Sequence, residues 1–340
     1  MTLNTSLLNR SVNQLKSNAS VRRLVDRMPR KLKVRLRQAI DRTSSSGPRE
    51  QMLSELSIQN TLLCQLLYEG ALQSPRAQEP NRLLKHGFKV YSQHDEDGIT
   101  EEIFRRIGHT DRFFVEFGVG DGLENCTLYC LLKGWRGVWI DGSAVCVDAI
   151  ETTFNFLIEA ERLRVRYAFI TAETIEQHFR ELGVPAEFDF LSIDIDNNDY
   201  WVWRAIQQYR PRVVAIEYNA SFKQSVNCVV PYNPTSIWDY TNYFGASLKA
   251  LEELGRQKGY CLVGCNYTGV TAFFVRGDLV GDRFAEPFTA ENHYEPPRYY
   301  VRMPNGHPAG FGPTVQGVGE GEAVRGPATA SESRGVLSKS

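Results

Sequence analysis

The stretch Val115-Glu116-Phe117-Gly118-Val119-Gly120-Asp121-Gly122 decides how this chain folds. An apolar run, Phe113 to Phe117, carries one acidic residue and leads into glycines at alternate positions. Glycines so placed let a backbone turn sharply out of a strand and press close to a ligand. Leu123 to Lys133 suits a helix, so amides of the turn would face a negatively charged group such as a carboxylate. The dinucleotide fingerprint Gly-x-Gly-x-x-Gly needs a glycine where this chain has Leu123. The pattern here is Glu-x-Gly-x-Gly-x-Gly. Nineteen positions past Gly122 a second apolar run, Gly137-Val138-Trp139-Ile140, ends in Asp141. A carboxylate at the tip of a second strand is placed to accept both ribose hydroxyls of a nucleoside.

Outward from these two strands, helical and extended patterns alternate. Glu96 to Ile107 suits a helix ahead of the first strand. Ala144 to Glu161 reads as a helix, Arg164 to Ile170 as the third strand and Thr174 to Leu182 as a helix. Phe188 to Asp194 reads as the fourth strand, Trp201 to Tyr209 as a helix and Val213 to Glu217 as the fifth strand. Such alternation predicts a parallel sheet covered on both faces. After a helix over Ala246 to Lys258, seven residues separate Tyr260-Cys261-Leu262-Val263 from Thr271-Ala272-Phe273-Phe274-Val275. That is too few for a parallel crossover, so these runs should pair antiparallel. A nicotinamide-binding domain would finish with another strand-helix-strand unit.

At this point the chain resembles class I S-adenosylmethionine-dependent methyltransferases, and within them the FkbM-like enzymes, many of which act on sugars and natural products. The resemblance rests on the glycine loop and three further stretches. These are Ser92-Gln93-His94-Asp95-Glu96-Asp97-Gly98, Gly134 to Gly142 and Asp189 to Asp196. It covers roughly residues 88 to 277. It implies a Rossmann-like α/β methyltransferase fold with a mostly parallel seven-stranded sheet ending in an antiparallel hairpin. It also implies S-adenosylmethionine as cofactor and O-methylation of a sugar or natural-product hydroxyl. By the same resemblance Glu116 and the backbone of Gly118, Gly120 and Gly122 hold the amino-acid end of the donor, and Asp141 its ribose. Ala172 or Glu173 would contact adenine, and Gln93 would line the pocket.

Methyl transfer from a sulfonium is an in-line displacement in which the protein aligns two reactants and removes water. An alcohol acceptor must also lose its proton to a carboxylate, a histidine or a metal-bound oxygen. Asp194 and Asp196 end the fourth strand, Glu217 and Asn219 the fifth, at the edge where open α/β sheets bind ligands. Asp194, Asp196 and His94 are the candidate catalytic groups. Asp194, Asp196, Glu217 and Asn219 could together hold Mg²⁺. Asp196 to Asp199 could equally form a turn that caps the next helix. The insertion from Ala220 to Gly245 carries Tyr232, Trp238, Tyr240 and Tyr243, which suit stacking on an acceptor or packing of the loop itself.

Outside this core the sequence divides at about residues 80 and 280. Residues 1–80 read as helices, with Leu24, Met28, Leu32, Leu36 and Ile40 at spacing four and a second stretch from Met52 to Leu67. Eleven Lys or Arg residues fall between Arg10 and Arg42 against Asp26 and Asp41. That stretch could touch an anionic membrane or another polyanion, or pack as a solvated helix face. Over the whole chain 39 basic and 40 acidic residues nearly balance, and the core lacks a basic run that could track nucleic-acid phosphates. Residues 281–340 read as an irregular, disordered tail rich in Gly, Ser, Ala and Pro toward its end. The seven cysteines follow no secretory leader and are expected to be reduced, in the cytoplasm or peripheral to a membrane. Two other readings compete: a nucleotide-binding oxidoreductase, and a binding module docked through the basic N-terminal helices.

Overall fold

The computed structural model describes residues 48–301 and 309–313. The described residues form two compact units, 48–78 with 300–301, and 79–299 with 309–313. In the first unit α1 spans Pro48–Leu72 and α2 Pro75–Gln78. Pro48 opens α1, where its missing N–H costs nothing. The expected helical stretch from Met52 to Leu67 lies within it, whereas Leu24 to Ile40 and the basic segment 10–42 lie outside the described residues. Cys64 and Tyr68 are buried, while Leu56, Leu62, Leu63 and Leu66 are mostly exposed. Among the described residues no helix is long and apolar enough to cross a membrane.

The second unit is a layered α/β structure. Its elements are α3 (Glu96–Ile107), β1 (Phe113–Phe117), α4 (Leu128–Leu132), β2 (Arg136–Asp141), α5 (Ala144–Glu159) and β3 (Leu163–Tyr167). They continue through α6 (Ile175–Glu181), β4 (Glu187–Ile193), α7 (Asp199–Ala205), β5 (Arg210–Glu217), α8 (Leu248–Gln257), β6 (Tyr260–Cys265) and β7 (Thr271–Arg276). Short helices α9 (Gly277–Val280) and α10 (Ala290–His293) follow. The seven strands form one sheet in the order β3-β2-β1-β4-β5-β7-β6. Strands β1 to β5 pair in parallel, and β7 inserts antiparallel between β5 and β6. The expected Rossmann-like sheet with its closing hairpin is therefore present.

Period-two alternation distributes β1 between the two faces of the sheet. Phe113, Val115 and Phe117 enter one apolar core with Ile140, Leu191 and Trp203, while Phe114 enters the other with Trp139, Phe190 and Phe273. Glu116 takes the position after Val115, so its carboxylate points into the second core at the strand's end. Both faces are covered, which is why these strands read as continuous apolar runs.

Two expectations are corrected by packing. α4 begins at Leu128 rather than Leu123, because the Asn125 side chain accepts the Thr127 and Leu128 N–H groups and sets the helix start there. Residues 281–299 do not belong to a loose tail. Phe284, Ala290 and His293 are buried, and the Ala290 N–H is held by Glu252 at 2.6 Å. The Tyr218 hydroxyl donates to the Glu295 carbonyl at 2.7 Å, and the Arg298 guanidinium lies 4.2 Å from the Tyr267 ring centre. Later still, Phe311 stacks on Phe156 and meets Tyr91 and Phe154. The cysteines are free thiols, with those of Cys126 and Cys130 pushed well up by burial.

Candidate functional site

The chain runs from β1 outward through β2 to β3, then returns across the sheet to β4. The carboxyl ends of β1 and β4 therefore flank a topological switch point, where crevices form in open α/β sheets. A cavity of about 540 Å³ opens there. Gly118 makes the junction possible. Its φ is +79°, and a Cβ at this position would lie 1.6 Å from the Asp194 carbonyl oxygen. Gly120, also at positive φ, lines the cavity and has open space beside it. Gly122 packs close to Trp139 beneath the loop instead of lining the cavity.

On the β1–β2 side the carboxylates are held by hydrogen-bond donors. Glu116 is 3% exposed and its two oxygens accept four bonds. The donors are the Cys126 and Thr127 N–H groups (2.9 and 3.1 Å) and the Thr127 and Ser192 hydroxyls (2.5 and 3.1 Å). Glu116 borders the cavity, but these bonds commit it to fastening the turn before α4 onto the sheet. It stands at the cavity where the amino-acid end of a donor is expected, with its oxygens shared by these bonds. Burial raises its carboxyl and the four donors oppose that rise. Asp141 accepts the Gly120 N–H at 2.8 Å through one oxygen and the Ser143 N–H at 2.7 Å through the other. It thereby ties the glycine loop to the tip of β2 while still bordering the cavity.

The segment before α3 closes the same side. Gln93 lines the cavity, and Lys89 donates to the Gln93 carbonyl and to Glu124. Glu96 also lines it, with its oxygens accepting from the His94 N–H, the Asn266 amide and the Thr271 hydroxyl. Asp97 pins the loop by accepting the Val90, Tyr91 and Ser92 N–H groups at 2.7, 2.6 and 3.0 Å through one oxygen, while the other has no partner. Burial outweighs those donors and pushes its carboxyl up to about 6. His94 is buried and is not among the lining residues, so the expected catalytic histidine does not reach the cavity.

Past β3, Ala168, Phe169 and Ile170 line the wall in place of Ala172 and Glu173. The strand ends at Tyr167, three residues earlier than its apolar pattern suggests, and the wall positions move back with it. The Tyr232 hydroxyl accepts the Ala172 N–H and donates to Glu173 at 2.5 Å, so both residues serve to hold the insertion.

The β4–β5 side has the opposite character. Oxygens of Asp194, Asp199 and Glu217 lie within 4.8 Å of one another. Asp199 accepts the Ile195 N–H at 2.8 Å with one oxygen, while its other oxygen and one of Glu217 are buried without a partner. Burial first, and then mutual repulsion, raise Asp194 and Glu217 well above the usual carboxylate range; burial raises Asp199 to about 7. Of the three, Asp194 lines the cavity. Asp196 lines it too, but its φ of +67° turns the chain out of the strand, and it stands outside the cluster. Asn219 is corrected as a metal ligand. Its amide donates to the Asn242 and Phe244 carbonyls at 2.9 and 3.0 Å, and its oxygen accepts the Ser221 N–H. Asp199 takes the place expected of Asp196 and Asn219; read as a helix cap, it looks structural in the sequence.

The Asn219 clamp closes the base of the insertion. Farther along, Trp201 donates to the Val230 carbonyl at 2.9 Å and Asn198 to that of Asn233 at 2.8 Å. The tip thus held brings Ser236, Ile237 and Trp238 to the cavity wall. Among all the lining residues there is no lysine, arginine or histidine.

No family model matches this chain, and no curated protein does. Among solved structures, the METTL16 MTase domain aligns with a TM-score of 0.35 and 14% identity over 52% of this chain. PhzM, titled a pyocyanin biosynthetic protein, aligns with a TM-score of 0.33 and 15% identity over 52% of it. The chain spans 64% of that METTL16 domain and 54% of PhzM. An O-methyltransferase from Bacillus cereus, titled as a complex with SAH, aligns with a TM-score of 0.36 and 16% identity, over 66% of this chain and 94% of its own.

Proposed function

We propose that this chain is an S-adenosylmethionine-dependent methyltransferase that methylates a hydroxyl, with a sugar or natural product as the acceptor class its FkbM-like motifs suggest. The carrying observation is the cavity at the switch point, which the glycine loop, Asp141, Phe169 and Asp194 line together. In this reading Asp141 accepts the ribose hydroxyls with its remaining lone pairs, and Phe169 and Ile170 face the adenine. Gly118 and Gln93 border the methionine end, and the sulfonium lies toward Asp194. A cation suits this cavity because its ionisable lining is acidic. A dinucleotide pyrophosphate would meet carboxylates there with no basic side chain to offset them, which disfavours the oxidoreductase reading.

Chemically, the acceptor oxygen attacks the methyl carbon, a C–O bond forms, the C–S bond breaks and the electron pair stays on sulfur. The hydroxyl proton goes to Asp194, the cluster member that reaches the cavity. Asp199 and Glu217 crowd Asp194 with like charge, which favours its taking a proton. Their two orphaned buried oxygens also fit a divalent cation such as Mg²⁺ shared by Asp194, Asp199 and Glu217. Such an ion would polarise the acceptor hydroxyl.

Calorimetric titration of the full chain with S-adenosylmethionine and with NAD tests the donor. The first should bind and the second should not; the reverse result overturns the reading. Asp141→Ala should weaken donor binding about tenfold or more, because charge-assisted hydrogen bonds of ~1.5–3 kcal/mol are lost. Turnover that survives EDTA and ignores added Mg²⁺ removes the ion and leaves Asp194 as the base.

A further inference from the structure

The tip of the insertion carries apolar surface that the protein itself leaves open. Ile237 is 78% and Tyr240 85% exposed, at the mouth of a cavity that Ile237 and Trp238 line. The Tyr240 ring lies 4.8 Å from that of Trp238, and Phe169, 49% exposed, belongs to the same cavity wall. The tip is held in position. The Trp238 indole N–H is satisfied by the Thr241 carbonyl at 2.8 Å, Tyr232 anchors to Ala172 and Glu173, and Asn219 clamps the base. A positioned cluster of exposed aromatic and aliphatic side chains is the kind of surface that a ligand covers.

Charge narrows the ligand further. The cavity below the tip is lined by Asp121, Asp194 and Asp196, with Glu96 and Glu116 deeper, and by no basic side chain. An acceptor bearing a phosphate, sulfonate or carboxylate, without the ammonium and sulfonium that accompany the donor's own carboxylate, would be repelled there and left without a partner.

We propose that Ile237, Trp238 and Tyr240 form an acceptor ledge and that the acceptor is an uncharged molecule presenting its hydroxyl from a flat, apolar or aromatic body. The proposal rests on the methyltransferase reading for the word acceptor, and on the ledge and the lining for the chemistry, and of the two acceptor classes in that reading it selects the natural product over the sugar. It excludes nucleic acids, sugar phosphates and other anions as acceptors, whatever contacts residues 10–42 make.

The full chain, alone and with S-adenosylhomocysteine, would be titrated with dihydroxynaphthalene, its sulfonated counterpart and cyclohexanediol, by calorimetry and by quenching of tryptophan fluorescence. The neutral aromatic diol should bind about tenfold tighter than either of the others, since stacking and charge exclusion each contribute about that much. Tyr240→Gly suits the positive φ at that position, so the fold tolerates it, and with Ile237→Ser it should weaken the aromatic diol at least about fivefold. Equal binding of the sulfonated compound, no binding of the aromatic diol, or full affinity in the double variant overturns the ledge. Loss of nucleoside binding alone overturns the donor reading and leaves the ledge standing.

Discussion

The two halves of the cavity use the same residue type in opposite ways. On the β1–β2 side Glu116 accepts four N–H and O–H donors and Asp141 accepts two N–H donors, and they act as fasteners for the turn before α4 and the glycine loop. On the β4–β5 side Asp194, Asp199 and Glu217 face one another, and two of their buried oxygens have no partner. A carboxylate surrounded by donors is spent on stability. A carboxylate surrounded by its own kind stores an unmet demand for a proton or a cation, which is what a reaction can use.

The comparison breaks most visibly at Glu116. Glu116→Ala strands two N–H groups and two hydroxyls in the core, and unfolding in urea should show a loss of about 4 kcal/mol or more. A small loss would mean that the donors find other acceptors and that Glu116 was free for a ligand after all. Asp194→Asn tests the other half. It should lower turnover about a hundredfold or more while calorimetry finds a much smaller loss of donor affinity, because a proton acceptor is lost without a change of shape and other carboxylates still line the cavity. Unchanged turnover would move the base elsewhere.

Asp97 sharpens the contrast, since it has three donors on one oxygen and none on the other. Its carboxyl, raised to about 6, holds its proton more tightly in the folded chain than in the unfolded one. Folding is therefore favoured by this group below the ordinary carboxylate range, and that contribution is lost as pH rises through about 6. Asp97→Asn removes the dependence. The stability difference between variant and parent, measured by urea unfolding, should shift toward the variant by about 2 kcal/mol between pH 4 and pH 7.5. A constant difference would show that the donors offset burial completely.

Much of the scaffold was legible because its signals are local. The glycine spacing, Asp141 nineteen residues on and the seven-residue gap before β7 each restrict topology without knowledge of distant partners. What escaped depends on residues far apart in sequence. Ser192 reaches Glu116 across 76 positions, and nothing near Glu116 announces that its oxygens are taken. Asn219 looks like an oxygen ligand until the Asn242 and Phe244 carbonyls arrive to occupy its amide. Asp199 reads as a cap because Asp favours helix starts, and only the return of β5 places Glu217 beside it. β3 ends three residues before its apolar pattern does, enough to put Phe169 and Ile170 on the wall in place of Ala172 and Glu173. Past residue 280 a thinning apolar pattern hid Phe284 and His293, whose burial depends on the finished sheet.

The buried amide of Asn219 has a consequence for how such a protein diversifies. Because it grips both strands of the insertion at the neck, the six residues from Ser236 to Thr241 can vary without loosening the cavity below. In the proposed methyltransferase, exchange of that hexapeptide between otherwise unlike chains would carry preference for a substrate with it, and the donor chemistry would stay with the sheet. The clamp turns one loop into an interchangeable tool on a fixed handle.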